Sequence, residues 1–220
     1  MSFSLALSTP GPIPNLDALL AIVGDWLDRD DLTAKIPMFV KLFEAEANRV
    51  LRTGDMERTI TFSATDEDTP LPNDYLAMRS IYVEGSPDRP LKGMSPNALK
   101  MEYDGSTGDP VAYSLVSGGI RLAPPPAAQL LLTMDYFAAI EALSVVAPAN
   151  WLLLEHPGAY LFGTLAFAED FLDNDAKAQK YLGYMNALLD DIEKKTRNDR
   201  FGSGPLSPNA ALQTGTRAKC

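Results

Sequence analysis

Two stretches with apolar residues at helical spacing, IPMFVKLFEAEANRVLR at 36–52 and WLLLEHPGAYLFGTLAFAEDFLDND at 151–175, bracket a region whose spacing changes to two. A chain patterned this way is expected to bring helices together from both ends and to fold the residues between them as strands. A 3.6-residue stripe and a two-residue alternation cannot share one element. In the first stretch Ile36, Phe39, Val40, Phe43, Ala47, Val50 and Leu51 fall on one stripe, and Lys41, Glu44, Glu46, Asn48, Arg49 and Arg52 are assigned to the opposite face. Asn15 offers an N-cap to an earlier helix through Leu19, Leu20, Val23, Trp26 and Leu27, which the acidic turn at 28–35 ends. The second helix should stop near Thr53, with Gly54 as its C-terminal signal, and the two should lie side by side. A helix at 157–172 carries Pro157 in its first turn. A last one runs from about Asp175 to Lys195 on a stripe of Ala178, Tyr181, Leu182, Met185, Leu188, Leu189 and Ile192, with Lys194, Lys195 and Arg197 at its dipole-favoured end.

Between these helices ERTITFSAT alternates, RSIYVEG and RPLKGMS are short strand candidates, and SPNALKMEY predicts a turn or two of helix begun by Ser95 and Pro96. VAYSLVSGGIRLAP predicts a hairpin around Ser117, Gly118 and Gly119, and AQLLLTMDYFAAI a further strand after the prolines at 124–126. The expected fold class is mainly α, a helical bundle with an inserted small β-subdomain (α+β) and an extended C-terminal arm. Its domain boundaries are one domain over 1–200, with helices in 15–53 and 151–200 and the insertion at 57–140, followed by the arm at 201–220.

The arm is set apart by composition, since FGSGPLSPNAALQTGTRAKC has two prolines, three glycines and no acidic residue. It cannot build a core of its own, so it reads either as a disordered tail or as an extended segment that orders on a partner. For the second reading the anchors are Phe201, Leu206 and Leu212, with cations at Arg217 and Lys219. A chain of 220 residues can bury roughly 70% of its unfolded surface without staples. Its one cysteine, Cys220, excludes an internal disulfide and a cysteine-based zinc site. Neither a signal peptide nor a run near the ~20 apolar residues of a membrane span is visible, so the expectation is a soluble protein made in a reducing cytoplasm. The net charge of −10 opposes tight binding of nucleic acid, because such affinity comes from clustered Lys and Arg on phosphates.

Chemistry is scarce. His156 is the only histidine, lies between two predicted helices, and has no GxSxG elbow to serve. Acidic clusters at Asp28, Asp30 and Asp31, at Asp66, Glu67 and Asp68, at Asp173 and Asp175, and at Asp190 and Asp191 lack EF-hand spacing and read as solvated turns and helix ends. Glu155 and Glu169 are the carboxylates a glycosidase could draft, and nothing selects them. Neither GxGxxG nor a P-loop occurs. The aromatic and proline cluster of Trp151, Pro157, Tyr160, Phe162, Phe167 and Phe171 reads as core. No catalytic, cofactor or metal residue is assigned, and no cofactor is expected.

Four motifs in order carry a resemblance: PMFVKLFEAEANRVLR from Pro37 to Arg52, LPNDYLAMR from Leu71 to Arg79, GDPVAY at 108–113 with MDYFAAI at 134–140, and WLLLEHPGAYLFGTL at 151–165. Together they resemble the head-to-tail adaptor (connector) proteins of tailed bacteriophages. The resemblance implies a structural virion protein, not an enzyme, made in the host cytoplasm and assembled as a dodecameric ring at the head–tail junction. Its partners would be the portal protein, neighbouring adaptor subunits and tail or nozzle proteins. DNA would pass through without tight binding, no membrane would be involved, and the C-terminal arm would reach along the portal. Asn48, Arg49 and Tyr75 would make structural polar contacts. The alternative is a virion-associated cell-wall hydrolase.

Overall fold

Seven strands and six α-helices lie along the described residues, 12–64 and 68–201, of the computed structural model, with the strands in the middle of the chain. In chain order they are α1 (Leu16–Leu27), α2 (Ile36–Val50), β1 (Glu57–Ala64), β2 (Asp68–Pro70), β3 (Tyr75–Val83), β4 (Lys92–Gly93), α3 (Pro96–Tyr103), β5 (Ala112–Val116), β6 (Gly119–Ala123), β7 (Leu130–Ala138), α4 (Trp151–Glu155), α5 (Pro157–Phe171) and α6 (Asp175–Phe201). The strands form two sheets, an antiparallel one of order β1-β7-β3 and a four-stranded one of order β2-β6-β5-β4, in which only β4 and β5 run parallel.

The two sheets share a core. Ile81, Ile120, Leu122, Leu132, Met134 and Tyr136 are buried with Ala64, Leu91 and Ala138, apart from the helical core. This overturns the mainly-α expectation: 46% of the described structure is helical and 23% strand, and strands with their own hydrophobic core make the fold α+β rather than a bundle with a small insertion. The helical core gathers Leu19, Val23, Ile36, Phe39, Phe43, Ala47, Tyr160, Leu165, Met185 and Leu189. α5 is central to it, packed most extensively on α6 and then on α2, while α1 touches both α5 and α2.

β7 joins the two cores. Its even-numbered residues Leu132, Met134, Tyr136 and Ala138 enter the sandwich, whereas Phe137 enters the helical core. On the same side as Phe137, Thr133 meets Thr61, and Asp135 accepts from the hydroxyls of Thr59 at 2.6 Å and Ser80 at 2.7 Å, giving the first sheet a hydrophilic outer face.

Boundaries shift where a local signal misleads. α2 ends at Val50 with Leu51 already extended, and Gly54 opens a 3₁₀ turn instead of capping the helix. The RPLKGMS candidate yields only the two residues of β4. α6 passes Lys195 and is still helical at Phe201, the last described residue.

Candidate functional site

The segment between β7 and α4 has no regular structure, and buried backbone without a ladder must find other partners. It finds them on α2. The Ile140 N–H donates to Asn48 Oδ1 at 2.8 Å and the Leu143 N–H to Glu44 Oε1 at 2.7 Å. The Tyr160 hydroxyl on α5 donates to the same Glu44 oxygen at 3.1 Å. Asn150 caps α4 through the Leu153 N–H at 2.9 Å while its amide donates to the Glu141 carbonyl at 2.7 Å and to Tyr160 Oη at 2.6 Å. Glu44, Asn150 and Tyr160 thus form one satisfied polar knot under the loop.

Glu44 is a correction to the sequence reading. Assigned to the solvent face, it is only 4% exposed. Burial raises its pKa above the ordinary 4.5, opposed by the hydrogen bonds from Leu143 and Tyr160. Burial, and then the Glu44 charge, push the Tyr160 phenol upward as well, so it stays protonated and able to donate. The missed signal was positional: Glu44 follows Val40 by four residues and so borders the apolar stripe. The geometry is that of a clamp, since Glu44 and Asn150 hold the loop's backbone at Leu143 and Glu141.

The other singled-out residues do not converge. His156 ends α4 at the start of α5, and burial lowers its pKa. Glu155 is exposed beside the N-terminus of α5, and Glu169 is buried near its C-terminus, bound by Asn174 at 2.9 Å and Lys177 at 3.2 Å. About 20 Å of helix axis separates them, against the ~5–9.5 Å a glycosidase pair needs. A cleft of about 440 Å³ lies where α3 meets β6, with Asp104 the one carboxylate in its lining. Glu57 and Asp135 line one groove on the outer face of the first sheet, but Glu57 is ion-paired with Arg79 and Asp135 is held by Thr59 and Ser80. Among the described residues no group of three or more His, Cys, Asp or Glu could hold a metal ion, and no helix is long and apolar enough to cross a membrane.

Of the aromatic and proline cluster, Tyr160 is fully buried and Trp151, Phe162 and Phe167 pack on the core, while Phe171 is exposed under Lys35. Arg49 pairs with Glu46, and Tyr75 stacks on Tyr136 at 6.0 Å. Of the arm residues, Phe201 is the last residue of α6; Leu206, Leu212, Arg217 and Lys219 lie outside the described residues.

A framework whose loop is tied down by an interior polar knot and whose surface carries apolar side chains suits a protein that holds other proteins. A sequence model described as SU10 adaptor protein matches residues 14–209. The chain belongs to the SU10 adaptor protein family. That membership makes it a phage structural adaptor that works among head and tail proteins in the virion, a structural rather than an enzymatic role. No curated protein matches the chain.

Proposed function

We propose that this adaptor is one subunit of a ring, twelve copies in the reading favoured by the motif resemblance, that joins the portal to the tail and lets DNA pass. The observation that carries the reading is the family match over residues 14–209, which takes in both the helical layer and the sandwich. The net charge of −10 suits a conduit along which a duplex slides rather than adheres. The arm that follows Phe201 at the end of α6 docks in extended form on the portal through Leu206, Leu212, Arg217 and Lys219, and the ring closes only there.

Truncation after Arg200 tests this. The apolar stripes all precede that point, so the melting temperature should be nearly unchanged while attachment to purified portal is lost, and protease should clip the arm in free protein but not in the complex. Portal attachment that survives truncation would remove the arm from the proposal. Images of the full-length protein on portal that show no ring would remove the ring.

A further inference from the structure

We propose that the turn at Ser144–Ala147 is a plug for a second copy of this chain, seated on that copy's aromatic shelf of Trp26, Phe162, Tyr181 and Tyr184. The inference rests on the ring reading above and names the contact that would close it. Val145 and Val146 at the tip are 95% and 94% exposed. A water-facing turn ordinarily carries Asn, Asp, Ser or Gly, and two adjacent β-branched apolar residues there leave surface in water with no local gain. The tip is also preorganised. The Ser144 N–H donates to the Ala147 carbonyl at 2.9 Å and the Ala147 N–H to Ser144 Oγ at 3.0 Å. Its flanks are tied down by Glu44 at Leu143 and by the Leu16 N–H on the Pro148 carbonyl at 2.7 Å, so little ordering entropy remains to be lost on docking.

The shelf lies elsewhere on the same helical layer. Phe162 meets Tyr181, Tyr184 and Trp26 with ring centroids 6.1, 5.2 and 6.0 Å apart. Trp26 and Tyr184 are 49% and 46% exposed, and exposed Trp and Tyr are the side chains that anchor protein contacts. The plug cannot be serving its own shelf. Pro148 is fastened to the first residue of α1, whereas Trp26 stands ten residues on, about 15 Å along that helix, and both valines are in solvent. The charges beside them differ in sign: exposed Glu141 lies three residues before the plug in the chain, and Lys180 lies over Tyr181 and Tyr184 at 5.8 and 5.9 Å on the shelf. Two different complementary patches on one chain generate head-to-tail association, which gives a ring when the rotation per copy closes, whereas a twofold dimer needs one self-complementary patch.

The experiment uses the full chain on purified portal. Val145→Asp combined with Val146→Asp should leave the melting curve unchanged and weaken association between copies about tenfold or more, and Tyr184→Asp on the opposite patch should do the same. Val146→Cys with Tyr184→Cys in a Cys220→Ser background should give an oxidised ladder of linked copies. Rings of the aspartate variant with wild-type strength, or rings that form without any ladder, would overturn the inference and leave the ring reading standing. Association between copies that is intact while portal attachment is lost would assign the plug to the portal and overturn it too. Wild-type protein that forms no ring on portal would end both.

Discussion

Glu44 shows how far a single position controls this fold. With a folded pKa raised by burial, the native state holds its proton more tightly than the unfolded chain, so its contribution to stability is fully present below the ordinary 4.5 and is lost as pH rises through the raised value. Glu44→Gln should therefore flatten the fall in stability above pH 4.5 relative to wild type, measured as the difference between two denaturant series across pH. Glu44→Ala should cost about 1–3 kcal/mol below pH 4.5, because the buried Leu143 N–H loses its acceptor, and less as pH rises. Gly163 is the second such position. A Cβ there would overlap the ring of Phe43, which lies 4.8 Å centroid to centroid from Tyr160 in the helical core. Gly163→Ala should destabilise by about 1–3 kcal/mol despite the roughly 1 kcal/mol of helix propensity that alanine gains. Adding Phe43→Leu should give a double variant that loses less than the sum of the singles, since the clash is shared.

At the scale of elements, capping residues divide by what else they hold. Asn15 accepts from the Ala18 N–H at 2.9 Å and does no more among the described contacts, so Asn15→Ala should cost about 1 kcal/mol. Asn150 caps α4 in the same way but also donates to Glu141 and Tyr160, tying the loop to α5. Asn150→Ala should cost at least about 2 kcal/mol and raise hydrogen exchange at Leu143 and Ser144, a change Asn15→Ala should not produce. Strands are less legible than helices for a reason visible in β3. The pairing with β7 shifts register between Tyr75 and Ala77 and again between Met78 and Ser80. Each irregularity flips the side on which later residues point, so Met78, Ile81 and Val83 reach one core although their numbers are out of phase. A reading by strict alternation finds RSIYVEG and misses the strand's start at Tyr75. It misses β2 altogether, three residues joined by pairing with β6 alone. Gly119 marks that junction: a Cβ there would stand 2.9 Å from the Thr69 carbonyl oxygen, a closeness that no run of residues announces.

For the whole molecule the surface charge sets what it meets. At −10, binding of duplex DNA at physiological salt should be no tighter than about 10⁻⁴ M in an anisotropy titration, and a tight complex with a steep salt slope would contradict the conduit reading. The sequence by itself determined the helices, since apolar stripes such as Ile36-Phe39-Val40-Phe43-Ala47 and caps at Asn15 and Ser95 are local and need no partner to be recognised. It also carried, in the order of its motifs, the family to which the chain belongs. Only the tertiary structure decided that the strands make a sandwich with a separate core, that Glu44 is interior, and that Val145 and Val146 stand free. Each of these depends on groups distant in the chain: β1 on β7 beside it in the sheet, Glu44 on Leu143 and Tyr160, the valine tip on anchors at Glu44 and Leu16. Burial and exposure arise when such groups are brought together, and a residue's own neighbours in sequence hold no record of that meeting.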